Sequence, residues 1–127
     1  LLQLNQEVFS EDNNIGFMST LGSNHKFQGW ADVFHGYNRF SGLRDNYISY
    51  KGRKSKLRWR AVWHHFRTYH SSKNIGNELD LELAYRFNRQ WDITLRYSAF
   101  NSKQGSEQFS RVNHDLKTYF ISFSYNI

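Results

Sequence analysis

From Leu116 to Ile127 the chain reads LKTYFISFSYNI, with large apolar side chains at alternate positions. Tyr119, Ile121, Phe123, Tyr125 and Ile127 share one face of the strand this pattern predicts. Thr118, Ser122, Ser124 and Asn126 share the other, with Phe120 the one large apolar residue among them. Successive strand residues point to opposite sides of a sheet, so this strand has one apolar and one polar face. The same alternation returns along the chain and predicts about six strands. Leu2–Phe9 sets Leu2, Leu4 and Val8 against Gln3, Asn5 and Glu7. Leu43–Tyr50 sets Ile48 and Tyr50 against Asp45, Tyr47 and Ser49. Lys56–Tyr69 sets Leu57, Trp59, Ala61 and Trp63 against Lys56, Arg58, Arg60 and His64. Glu78–Phe87 sets Leu79, Leu81, Leu83, Tyr85 and Phe87 against Glu78, Asp80, Glu82 and Arg86. Trp91–Asn101 sets Trp91, Ile93, Leu95, Tyr97 and Ala99 against Asp92, Thr94, Arg96 and Ser98.

Strands of about 9–12 residues exceed the usual soluble length of about 5–6 and match a tilted crossing of a bilayer. The connections alternate. Residues 10–42 form a long segment, KGRKS a short one, HSSKNIGN a loop, Asn88–Gln90 a turn and SKQGSEQFSRVNHD a long loop. Outer-membrane barrels have short turns on the periplasmic side and long loops outside. With a periplasmic C-terminus, 10–42 becomes a long extracellular loop. Phe87 and Trp91 bracket one short turn and Tyr50 flanks the other, where interfacial aromatic girdles are expected. The expected fold class is therefore all-β: an antiparallel up-and-down transmembrane β-barrel. About six strands cannot close such a barrel, whose smallest form has about eight. The chain begins within a strand and without Met. Residues 1–127 are accordingly expected to form the C-terminal part of one larger barrel domain in a bacterial outer membrane, in contact with its lipid. The C-terminal face of Tyr119, Ile121, Phe123, Tyr125 and Ile127 is expected to address the barrel-assembly machinery.

Composition agrees with a barrel that is wet inside. Aromatic residues make up 18% of the chain although mean hydropathy is −0.78. Proline is absent, which favours uninterrupted ladders. Cysteine is absent too, excluding disulfides and thiolate metal sites. The net charge of +6 favours polyanionic partners. A nucleic-acid interface needs basic and aromatic side chains on one face, whereas here the aromatics alternate against the charges. No nucleic-acid partner is expected. His64 and His65 point to opposite faces and cannot share a metal with His70. No Ser/His/Asp spacing marks an enzyme, and no cofactor or metal is expected.

Two features carry candidate chemistry. If Asn88–Gln90 closes a hairpin, Arg86 faces Asp92 and Glu82 faces Arg96 on the polar side. Lys56, Arg58 and Arg60 add to the same wall. A wall bearing both signs with a basic excess favours anions in a pore, or else its charges neutralise one another and stiffen the barrel. The second feature is Gly16–Asp45, which sets Phe17, Phe27, Trp30, Phe34, Tyr37 and Phe40 among His, Asn and Asp. Such a loop can stack on sugars, fold back into a pore, or pack on itself.

The run GFMSTLGSNHKFQGWADVF resembles a motif of alginate-export-family outer-membrane porins, through Gly16, Phe17, Ser19, Thr20 and Leu21. Its most specific part is His25, Lys26, Phe27, Gln28, Gly29, Trp30, Ala31 and Asp32. GLRDNYISYKG is similar to that family's GLxDxY strand. AVWHHFR is similar to AVxHxF through Ala61, Val62, His64 and Phe66. IGNELDLELAYRFN is similar to YGxELDL through Gly76, Glu78, Leu79, Asp80 and Leu81. The resemblance spans nearly the whole chain in the family's order. It implies a Gram-negative porin with a basic lumen that passes an anionic polysaccharide or a small anionic solute. An anchoring barrel with a plugged lumen is the alternative of a different class.

Overall fold

The computed structural model describes residues 1–12, 15–16, 29–34, 42–70, 72–103 and 114–126. Its elements are β1 (Leu2–Phe9), β2 (Glu11–Asp12), β3 (Ile15–Gly16), β4 (Leu43–Lys54), β5 (Leu57–Thr68), β6 (Asn74–Arg86), β7 (Trp91–Ser102) and β8 (Leu116–Tyr125). β1 and β4–β8 form one antiparallel up-and-down sheet in the order β1-β4-β5-β6-β7-β8, open at β1 and β8. Among the described residues β2 and β3 pair only with each other.

The alternation locates all six strands of the sheet, but the boundaries differ, by one or two residues at several ends and by four at the end of β4 and the start of β6. β4 runs through Lys54 rather than stopping at Tyr50. Lys51–Lys54 have no apolar rhythm, yet each pairs with a β5 residue, so ladder bonding holds them extended. The connection shrinks to Ser55–Lys56, with Ser55 at φ 53°, and Lys56 becomes a turn residue. β6 starts at Asn74 rather than Glu78, which shortens the β5–β6 connection to 69–73. A register shift between Phe66 and Arg67 accommodates this extension. The segment 10–42 contains the small β2–β3 hairpin as well as the folded piece 29–34. At the β6–β7 turn the Asn88 side-chain carbonyl accepts from the amides of Gln90 and Trp91, both at 2.9 Å. That side chain mimics a backbone turn and fixes the register after it.

The register sorts the side chains into two faces. The apolar face carries rows such as Leu4–Ile48–Trp63–Leu79 and Leu83–Leu95–Ile121. Its residues remain uncovered in this chain: Leu81 is 40% exposed and Phe123 69%. At the short-turn end Tyr85 packs edge-on to Phe87 and Trp91 leans on Tyr125, with ring centres 5.2 and 4.8 Å apart. From Leu79 to Phe87 this band extends about 26 Å along the strand.

The core sits on the other face, at the end where 10–42, 69–73 and 103–115 connect the strands. Ala31, Val33 and Phe34 from the loop segment cluster there with Leu43, Phe66, Ile75 and Phe100. Phe34 lies 4.4 Å from the Phe66 ring centre and 6.0 Å, edge-on, from Phe100. Gly76 lets β6 approach β7 beside this cluster. A Cβ there would sit 2.5 Å from the Asn101 carbonyl oxygen and 2.6 Å from the Phe100 ring. Gly76→Ala should therefore lower stability by about 1–3 kcal/mol, read as a lower urea midpoint. An unchanged midpoint would show that β7 yields freely at this point.

Candidate functional site

The charged face divides into two halves along the strands. Nearer the long connections, β4, β5 and β6 bring Asp45, His64, Glu78 and Asp80 together, all buried. Adjacent strands and a two-residue period make this possible, although Asp45 and Asp80 are far apart in sequence. The Nδ1 of His64 lies 2.8 Å from Asp45 Oδ2, and its Nε2 lies 3.5 Å from Asp80 Oδ2. Only an imidazolium donates from both nitrogens, and that form suits a ring held between two carboxylates. The ring also stacks on Tyr47 and Phe66, with centres 5.1 and 5.4 Å away.

A short strap, Gly29–Phe34, lies across this cluster. The Trp30 amide donates to Asp80 Oδ2 at 3.1 Å and the Ala31 amide to Glu78 Oε1 at 2.7 Å. Gly29 adopts φ 79°, and a Cβ there would fall 2.6 Å from the Glu78 carboxyl atoms. Only glycine combines that left-handed backbone with so close an approach. Asp32, at φ 56°, occupies the same region, which Asp tolerates better than most side chains. Trp30 extends beyond the cluster, and the guanidinium carbons of Arg60 and Arg96 lie 5.7 and 5.3 Å from its ring centre.

The half nearer the short turns is basic. Lys51, Arg60, Glu82 and Arg96 form one cross-strand row; Arg53 and Arg58 begin the next, with Ala84 and Thr94. A cleft of about 560 Å³ runs along these rows. Arg96 Nε donates to Glu82 Oε2 at 2.7 Å, an exposed pair of modest energy. Arg86 stands opposite Asp92 in the register, and Asp92 accepts from Asn126 at 3.2 Å. Lys56 Nζ donates to the Phe87 carbonyl at 2.7 Å from its place in the turn.

Lys56, Arg58, Arg60, Glu82, Arg86, Asp92 and Arg96 thus gather at one end of one face. Gly29, Trp30 and Asp32 belong to the strap, with Trp30 touching the basic rows. His25, Lys26, Phe27 and Gln28 lie outside the described residues, as does Ile127. Apolar alternation ends at Tyr50 and so leaves Lys51 and Arg53 outside the basic group, where the register places them. It also places Asp45, His64, Glu78 and Asp80 on the polar side without uniting them around a loop. The available signal was four ionisable residues on the same side of three successive strands, at a depth where water alone would have to satisfy them.

Without Glu78 the buried Ala31 amide loses its acceptor, which costs about 1–3 kcal/mol. The chain has no native cysteine, so Ala31→Cys reports on the strap directly. Thiol labelling at that position should accelerate at least about fivefold when Glu78→Ala or Gly29→Ala is added. Unchanged rates would mean that Phe34 packing alone holds the strap. Comparison of the chain with protein-family models, curated proteins and solved structures finds no match.

Proposed function

We propose that this sheet is a section of a closed transmembrane β-barrel in a bacterial outer membrane, with its charged face lining a water-filled pore for anions. The observation that carries the reading is the division of one sheet into two incompatible surfaces. One presents uncovered Leu, Ile, Trp, Tyr and Phe; the other presents a basic cleft and buried carboxylates. Lipid on the first side and water on the second satisfy both at once. Backbone groups at the edges of β1 and β8 would cost several kcal/mol each in lipid. Further strands, from the same chain or from other copies, would close the sheet; strands from the same chain are the simpler solution.

The basic half sets selectivity in this reading. Seven cations (Lys51, Arg53, Lys56, Arg58, Arg60, Arg86 and Arg96) face two carboxylates, Glu82 and Asp92, across those rows. A low-dielectric wall with that excess concentrates anions. Trp30 between Arg60 and Arg96 offers a flat apolar surface beside two cations, which suits a sugar ring carrying a carboxylate. The resemblance to alginate-export porins supports the same solute class. Its four motif segments meet physically at the strap: Gly29–Asp32, Asp45, His64 with Phe66, and Gly76 with Glu78 and Asp80. The strap also favours a second reading, an anchoring barrel with a plugged lumen, because it covers the carboxylate half of the charged face. Single-channel conductance separates the two readings.

Two measurements test the pore. Arg58→Gln, Arg60→Gln and Arg96→Gln together keep bulk and remove three charges. Reversal potentials across planar bilayers should shift toward cations, and the difference should shrink at 1 M salt, where screening acts within about 3 Å. A barrel that conducts without ion preference before and after the change would refute selectivity by these arginines. For the lipid face, Leu81→Arg should cost about 2–4 kcal/mol on refolding into vesicles, whereas Thr94→Arg should cost far less. Equal costs would contradict the assigned faces.

A further inference from the structure

Charge on the apolar face follows a rule of its own. The six strands of the sheet carry six carboxylates, Glu7, Asp45, Glu78, Asp80, Glu82 and Asp92, and the register places every one on the charged face. The apolar face carries Arg44, Arg67, Lys117 and Lys54. The first three lie toward the long connections and Lys54 beside the short turn.

Arg44 and Arg67 stand directly opposite each other on β4 and β5. Like charges in that position repel unless an anion joins them. They lie one polar row (Gln6, Asn46, His65 and Asn77) beyond the last large apolar row of Leu4, Ile48, Trp63 and Leu79. Trp63 to Arg67 is about 13 Å along the strand, less along a tilted membrane normal. That depth carries a side chain from the hydrocarbon into the headgroups.

Both arginines are positioned by contacts with neighbouring rings. Arg67 Nε donates to His65 Nε2 at 2.8 Å, and His65 in turn donates from Nδ1 to Asn77 Oδ1 at 2.6 Å. His65 is itself stacked on Trp63. Arg44 lies 5.9 Å from the Tyr69 ring centre, and its buried Nε has no hydrogen-bond partner among the described residues.

We propose that Arg44 and Arg67 form a binding site on the outer wall of the sheet for the phosphate of a phosphorylated lipid. The acyl chains of that lipid would lie against Ile48, Trp63 and Leu79. Guanidinium forks match phosphate geometry and bind it through paired hydrogen bonds. A bridging phosphate turns the repulsion between the two arginines into attraction. The apolar rows that begin one polar row away favour a lipid over free phosphate, because one molecule then satisfies both parts of the surface. This site rests on the transmembrane reading but not on the pore reading.

Native mass spectrometry of the full-length protein in detergent micelles tests it, with bis-phosphorylated lipid A and fully dephosphorylated lipid A as probes. Wild type should retain the phosphorylated lipid roughly tenfold better than the Arg44→Gln/Arg67→Gln variant, the effect of losing charge-assisted contacts. Both proteins should hold the dephosphorylated lipid equally. Arg44→Lys/Arg67→Lys keeps the charge and should retain much of the preference, which guards against a folding defect in the Gln variant. Equal retention of phosphorylated lipid by wild type and a folded Gln variant would overturn the proposal. So would inorganic phosphate binding as tightly as the lipid. A protein that enters micelles yet shows no preference for the phosphorylated probe refutes this site alone; one that stays in the aqueous phase refutes the transmembrane reading and the site with it.

Discussion

Register between neighbouring strands is the constraint on which everything else in this chain depends. A slip of one residue in β6 would turn Glu78, Asp80 and Glu82 to the apolar side and bring Leu79, Leu81 and Leu83 beneath the strap. The charge pattern alone penalises that slip heavily. Two local devices reinforce it: the Asn88 side chain that closes the β6–β7 turn, and the two-residue connection at Ser55–Lys56. Once register is set, the positions of the carboxylate cluster, the basic cleft and the arginine pair on the apolar face follow.

The carboxylate cluster converts register into tertiary structure. Glu78 and Asp80 accept two successive strap amides, and His64 ties Asp80 to Asp45 across β5. Buried acids would otherwise be costly, and removing a partner leaves a buried polar group without its bond. Phe34, Phe66 and Phe100 close over the same region. The strap thus combines apolar packing with a hydrogen bond to one oxygen of each of two buried carboxyl groups, and its path also brings Trp30 to the two arginines. One short segment therefore links the buried half of the face to the open half.

That division gives the charged face an electrostatic gradient. Carboxylates near the long connections are engaged by amides and imidazole, while the arginines and lysines beyond them border a cleft. Glu82 holds Arg96 in place without cancelling the local excess. The opposite side of the same strands has no acid and keeps its few cations toward the strand ends. The two faces differ in the sign and depth of their charge as well as in hydropathy.

The sequence by itself determined the strands, their faces and the pairing of Glu82 with Arg96. A period of two is a local property, and a turn at Asn88–Gln90 fixes the pairs around it by counting. Its boundaries failed where local pattern was weak. Lys51–Lys54 is polar and Asn74–Asn77 holds a single apolar residue, Ile75, so their extended shape comes from a neighbouring strand and local pattern leaves Lys51 and Arg53 outside the basic group. Only the tertiary structure decided where Gly29–Phe34 lies. Nothing local to that segment specifies Glu78 and Asp80 as its acceptors, because those carboxylates come from a strand far along the chain. Likewise Arg44 and Arg67 look like scattered surface charges until pairing of β4 with β5 sets them face to face. Contacts between distant segments depend on which strands become neighbours, and alternation along one strand carries no record of that choice.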